Sequence, residues 1–334
     1  MSAFLVCGVA GLELDAGERA LLEELRPGGI VLFARNVADR KQLRALAAEL
    51  AALPSRPYLA VDLEGGRVNR LESLIGALPA AASAAQAGLQ AVRALAEAAG
   101  AACAHFGIGV DFAPVVDVAR PEGWLGGEAR CLGTTEHAVR GAAFAYLEGL
   151  ESLGVAGCLK HYPGLGSGAV DSHRELPLLD DSAAGESRVF HALLAPGRAV
   201  MVAHALAPAI GEAACPASLS RTVVGRLRRL AGGPVIADDL EMGALSEFGT
   251  IPERAAAALG AGCDQVLVCN ALEARAGVVA HVEAAGRRDP VLAARLRVSE
   301  ARVAGFGRGE LPKVNWDRVR GLSDRARAMV GVGS

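Results

Sequence analysis

Short β-like runs recur eight times along the chain, with alanine- and leucine-rich stretches of helical spacing between them, and this alternation leaves few folds open. The runs are residues 5–9, 29–33, 58–62, 109–112, 155–160, 200–204, 235–238 and 265–269. Helical spacing marks 40–52, 86–104, 137–150, 219–230 and 254–259. The runs are nearly continuous in apolar residues, as expected of parallel strands buried on both faces. Eight β-then-α repeats predict an α/β fold, a (β/α)8 barrel of the TIM type. An open doubly wound sheet is the alternative, because periodicity does not show closure. No Pro/Ser-rich linker or charge block divides the 334 residues, which predicts one catalytic domain over 1–334, with about 290–334 as a C-terminal helical extension packing on the barrel.

The ends of the runs favour the barrel. They carry Arg35-Asn36, Asp62 with Glu64-Gly65-Gly66, Asp117, Lys160-His161, His204, Asp238-Asp239 and Asn270. A barrel builds its active site from the carboxyl ends of its strands. Taken singly, each residue has a plainer explanation: Asp and Asn cap helices, and a lone His is usually a hydrogen-bonded structural residue. The most informative stretch is Lys160-His161-Tyr162-Pro163-Gly164-Leu165-Gly166, followed by Asp171-Ser172-His173. It sets a carboxylate and an imidazole two residues apart on a glycine-rich loop, an arrangement suited to acid/base chemistry. Pro163 and the glycines exclude regular structure and predict close approach of backbone to a ligand.

Composition narrows the function. A net charge of −3 gives no footprint for nucleic acid or an anionic membrane, which predicts a small-molecule role. The N-terminus lacks a basic n-region and no apolar run is long enough to cross a bilayer, so a cytoplasmic location is expected. Seven scattered cysteines, without Cys-x-x-Cys spacing, are expected to be reduced and mostly buried. No metal or organic cofactor is expected, since the histidines show no ligand spacing.

Five ordered motifs carry a resemblance: 61–70 (Val-Asp-Leu-Glu-Gly-Gly-Arg-Val-Asn-Arg), 111–118 (Asp-Phe-Ala-Pro-Val-Val-Asp-Val), the 160–173 loop, 216–220 (Pro-Ala-Ser-Leu-Ser) and 237–242 (Ala-Asp-Asp-Leu-Glu-Met). Together with Gly29-Ile-Val-Leu-Phe-Ala-Arg-Asn36 they resemble glycoside hydrolase family 3 from about Gly11 to Asn270. The chain is most similar to the family's single-domain β-N-acetylglucosaminidases, those that recycle cell-wall muropeptides. The resemblance implies a retaining mechanism with Asp238 as nucleophile, His173 as acid/base and Asp171 orienting it. It also implies that Asp62, Arg70, Arg130, Lys160 and His161 hold the sugar. Other roles stay open at this point: an N-cap for Asp239, a surface turn around Asp171, a structural ion pair for Arg130, and pairing of Arg70 with Glu72. Glu64 and Glu175 are the alternative proton donors.

Two departures stand out. Leu63 replaces the family's usual glutamine, and Leu165 with Ser167-Gly168 replaces a His-Gly followed by Asp-Thr. They bear on loop shape and substrate preference. Within the fold, a β-glucosidase or a phosphorylase would keep the same nucleophile. From other classes, Gly164–Ala169 loosely matches a dinucleotide-binding loop, although 170–177 is too short and polar for the helix that should follow. A catalytically inactive sugar-binding protein is the remaining alternative.

Overall fold

The computed structural model describes residues 2–211 and 213–331. Eight parallel strands form one sheet: β1 (Ser2–Cys7), β2 (Pro27–Leu32), β3 (Tyr58–Val61), β4 (Val110–Asp111), β5 (Ala156–Tyr162), β6 (Ala199–Val202), β7 (Val235–Asp239) and β8 (Gln265–Val268). Leu5 of β1 lies opposite Val266 of β8 and Cys7 opposite Val268, so the sheet closes on itself. Closure decides for the barrel over the open sheet.

A helix follows each strand: α1 (Ala16–Leu25), α2 (Arg40–Ala51), α3 (Leu89–Phe106), α4 (Glu136–Glu151), α5 (Ala183–Leu193), α6 (Arg221–Arg228), α7 (Ile251–Ala261) and α8 (Ala274–Arg288). Side chains alternate across each strand and so divide the core into two layers. On β1, Leu5 and Cys7 face the helices while Val6 joins Val31, Ala60, Phe112, Met201, Ile236 and Leu267 inside the barrel. The N-terminal end of that inner layer is closed by Tyr58, whose ring meets Phe306 edge-on at 5.1 Å and whose hydroxyl donates to Gln265 Oε1 at 2.8 Å.

Two helices differ from the sequence expectation. The single stretch expected over 86–104 is broken at Gly88, whose φ of 108° is open to glycine and strained for other residues; Ala81–Ala87 and α3 lie on either side. The stretch 219–230 starts later, because the Ser220 hydroxyl accepts from Val223 N and caps α6. Asp239 does not cap a helix as expected. It ends β7, accepts from Glu241 N at 3.3 Å, and α7 begins only after Thr250, which forms a capping box with Glu253.

The chain continues into α9 (Pro290–Val303) and α10 (Trp316–Val330). Helix α10 packs on α3, and α9 contacts β1. Arg228 of α6, Ser299 and Arg302 of α9 converge on the buried carboxylate of Asp264 at 2.6, 2.8 and 3.0 Å, tying the tail to the start of β8.

Candidate active site

A cavity of about 490 Å³ opens where the strands end. Asp62, Arg70, Arg130, Lys160, His161, Asp171, His173 and Asp238 all line it. Its floor is apolar: Val31, Phe112, Met201 and Leu267 belong to the inner barrel layer, so the packed core is also the base of the pocket.

One wall is an ion cluster. Lys160 Nζ lies 2.7 Å from Asp62 Oδ1 and 2.6 Å from Glu64 Oε1. Arg130 grips the same Glu64 bidentately at 2.8 and 2.9 Å. Burial would raise the Glu64 carboxyl, but Lys160 and Arg130 outweigh it and hold it down at about 2. Glu64 therefore stays ionised at neutral pH and is unsuited to donate a proton. Glu175, the other alternative donor, is exposed and does not line the cavity. The ion pair considered for Arg130 is real, and it orients the guanidinium while leaving Arg130 in the cavity wall.

Arg70 has no ion pair with Glu72 in the structure. Its guanidinium lies 5.9 Å from the Phe33 ring centre, and among the described residues its buried Nε has no hydrogen-bond partner. A buried donor left unpaired at a cavity wall is suited to an incoming acceptor.

Asp117, fully buried in the loop after β4, fixes the next loop. It accepts from the backbone N–H of His161 and of Leu165, at 3.1 and 2.7 Å, and faces His161 Nδ1 at 2.8 Å. This sets the ring orientation and leaves Nε2 as the free ring nitrogen.

Further along the loop, His173 Nδ1 lies 2.8 Å from Asp171 Oδ1, which also accepts from His173 N at 3.0 Å. The His173 side chain is 66% exposed, so the dyad sits at the mouth. Gly243 N and Ala244 N, in the segment after β7, donate to the carbonyls of His173 and Ser172. The segment that follows the Asp238 strand thus also anchors the dyad.

Asp238 is half-buried and accepts from Asp239 N at 2.8 Å. Burial pushes its carboxyl up; His161, His204, the Asp239 N–H and His173 together prevail and hold it below the usual carboxylate range. It is ionised at neutral pH, a state suited to nucleophilic attack. Its neighbour Asp239 differs: burial, with Glu241 and Asp238 beside it, pushes that carboxyl up to about 7. His204 is structural, held between the Ser218 hydroxyl at 2.7 Å and the Asp239 carbonyl at 3.0 Å.

The glycosyl hydrolase family 3 N terminal domain matches residues 6–304. The chain belongs to glycosyl hydrolase family 3. It is a glycoside hydrolase. Among curated relatives, it is 38% identical to a beta-hexosaminidase of Alkalilimnicola ehrlichii over 83% of this chain and 84% of that one. A beta-hexosaminidase of Chromobacterium violaceum is 37% identical over 97% and 92%. Among solved structures, a family 3 beta-N-acetylglucosaminidase from Paenibacillus sp. str. FPU-7 superposes with a TM-score of 0.84 at 30% identity, over 98% of this chain and 68% of that one. NagZ from Neisseria gonorrhoeae, in complex with N-trifluoroacetyl-D-glucosamine, gives 0.78 at 28% identity over 99% and 98%.

The two departures from the family 3 pattern fall in different places. Leu63 is fully buried; its N–H donates to Asp111 and its carbonyl accepts from the Tyr146 hydroxyl, away from the cavity. Leu165 lines the cavity. Sequence reasoning missed Trp124, Arg67 and Glu128, which also line it, with Arg67 and Glu128 forming an ion pair.

It missed Glu186 as well. From α5 this fully buried carboxylate accepts from Gly166 N at 3.2 Å and Val118 N at 3.4 Å and pairs with Arg120 at 3.1 Å. Burial and Asp117 push its carboxyl up to about 7, against the pull of Arg120 and the Val118 N–H. The glycine-rich loop therefore meets an acidic side chain of its own chain where a dinucleotide loop would meet phosphate. No helix opens at 164–169 either, and both facts weigh against the oxidoreductase alternative. Among the described residues no helix is long and apolar enough to cross a membrane, and no group of His, Cys, Asp and Glu is arranged to hold a metal ion.

Proposed function

We propose that the chain is a retaining exo-β-N-acetylglucosaminidase that removes terminal β-linked N-acetylglucosamine, with cell-wall muropeptides as its natural substrates. The observation that carries this reading is one cavity that holds an ionised Asp238 on its strand, the Asp171–His173 pair at the mouth, and an unpaired Arg70 donor in the wall. The beta-hexosaminidase relatives and the family 3 structure bound to N-trifluoroacetyl-D-glucosamine support the sugar.

In this reading Asp238 attacks the anomeric carbon and forms a glycosyl ester while His173 gives its proton to the departing oxygen. His173 then takes a proton from water, which attacks the ester and frees Asp238. Asp171 orients the imidazole and stabilises its charged form. Asp62, Lys160, Arg130, His161 and Arg70 hold the hydroxyls and the acetamido group. The Glu64 cluster keeps Lys160 and Arg130 in place, so these donors need no reorganisation when substrate enters. The seven cysteines are thiols, which suits a reducing, cytoplasmic compartment.

The deciding assay is a panel of aryl β-glycosides that differ at C2. N-acetylglucosaminides should be turned over far faster than glucosides, with free N-acetylglucosamine as product with or without added phosphate. A preference for the 2-hydroxyl sugar would make the chain a β-glucosidase, and a phosphorylated product would make it a phosphorylase. No turnover of any member would leave the inactive sugar-binding alternative.

A further inference from the structure

The loop that carries the Asp171–His173 pair leaves β5 through Pro163-Gly164-Leu165-Gly166, and these glycines do not face the cavity. A Cβ on Gly164 would lie 2.4 Å from the Cβ of Glu186, and one on Gly166 would lie 2.8 Å from Glu186 Oε2 and 2.0 Å from the Val118 carbonyl. The glycines make room for Glu186. We propose that Glu186 is a positioning residue for the proton donor, clamping the root of the 164–173 loop to the 118–120 segment so that His173 is presented at the cavity mouth; this rests on the function proposed above.

Four observations support the clamp. Glu186 is fully buried in α5, outside the cavity, so it cannot touch substrate. One oxygen bridges two segments: Oε2 accepts from Gly166 N of the acid/base loop and from Val118 N of the loop after β4, while Oε1 takes Arg120 of that second loop. Asp117, one residue earlier, clamps the same loop at His161 N and Leu165 N, so two adjacent buried carboxylates fix residues 161–166. Beyond that root, the described contacts of 171–173 with other elements are the bonds from Gly243 and Ala244. The root and the 243–244 strap, with the Trp124 N–H on the Gly168 carbonyl and the pairing of 177–179 with Leu206, together set where His173 stands. With the root released, a side chain already 66% exposed would spend less time aligned with the glycosidic oxygen.

The test compares N-acetylglucosaminides whose leaving groups differ in basicity, a dinitrophenyl and a methyl aglycone, in wild type, His173→Ala, Glu186→Ala and Glu186→Gln. Proton donation matters for the basic methoxide and little for dinitrophenolate. Glu186→Ala should lower kcat/KM on the methyl glycoside about 10- to 100-fold more than on the dinitrophenyl one, the same pattern as His173→Ala but smaller. Glu186→Gln keeps one acceptor oxygen and should fall between. Gly166→Ala, which pushes on Glu186 Oε2 and the Val118 carbonyl from the loop side without the backbone strain that a φ of 124° would impose at Gly164, should reproduce the pattern. Equal loss on both substrates, or none, would overturn the clamp, because a role in folding alone removes active molecules without regard to leaving group. If Glu186→Ala does not fold, Glu186→Gln and Gly166→Ala decide by the same criterion. Wild type inert on both substrates would instead sink the function itself.

Discussion

Adjacent aspartates with the same side chain behave differently at the end of β7, and the difference lies in what each faces. Asp238 is held ionised by imidazoles and a backbone N–H, whereas burial, with Glu241 and Asp238 alongside, pushes Asp239 up to about 7. Asp238→Ala should therefore remove turnover while leaving the fold intact, and a mechanism-based fluorosugar should label Asp238 when peptides are mapped by mass spectrometry. A label on Asp239 would move the nucleophile by one residue. His173→Ala should slow substrates with basic leaving groups most, and Asp171→Ala should give a milder form of that pattern, since the imidazole remains. Glu64 belongs to stability as well as to the site. Glu64→Gln leaves Lys160 and Arg130 buried without their shared partner and should cost about 3–5 kcal/mol in urea unfolding at pH 7. Its carboxyl is held at about 2 against an ordinary 4.5, so its contribution is fully present above pH 4.5 and is lost as pH falls toward 2. The gap between wild type and Glu64→Gln should accordingly narrow below pH 4.5.

At the scale of elements, small backbone devices decide where helices stop and where the 163–173 loop goes. Gly88 divides the 81–106 stretch at φ 108° with open space around its missing Cβ. Gly88→Ala tests backbone strain alone: it should lower stability by about 1–3 kcal/mol and leave kcat unchanged, read as a shift in denaturant midpoint. Gly164 combines that reason, with a φ of 124°, with the nearness of Glu186, whereas Gly166 answers to close approach alone, of Glu186 and the Val118 carbonyl. Helical periodicity shows neither case. The expectation that the loop glycines admit a ligand was mistaken because a glycine in a sequence says only that something comes near, and here it is α5.

Over the whole molecule, the barrel interior and the active site share one apolar column, closed by Tyr58 and Phe306 at one end and open to substrate at the other. Buried acids beside that column make stability depend on pH. Burial pushes Asp111 up to about 7, against its Leu63 N–H bond and the charge of Lys160, with Asp62 and Glu64 adding to the rise. For an acid raised in the folded state, the sign is that stability falls as pH climbs from the unfolded value near 3.8 through 7. Asp111→Asn keeps an acceptor for Leu63 N and removes that charge. Its stability relative to wild type should rise by about 2–4 kcal/mol between pH 5 and pH 8, measured by thermal or urea unfolding. A constant difference across that range would show that Asp111 does not titrate there.

The sequence by itself determined the repeat of strand and helix, the polar residues at the strand ends and the order of the family 3 motifs, because each is local: a period of two or 3.6, or a run of adjacent residues. That was enough to predict the barrel, and the eight residues selected from it share one cavity. Only the tertiary structure decided closure, which depends on β1 meeting β8 across some 260 residues between Leu5 and Val266. It also decided which acids are ionised. Glu64, Asp111, Asp239 and Glu186 read alike in one dimension, and what separates them is burial and the charges packed beside them from Lys160, Arg130, Glu241 and Asp117. Glu186 was beyond sequence reasoning because nothing in its helix marks it; its partners at 118, 120 and 166 are brought to it only when the strands close side by side.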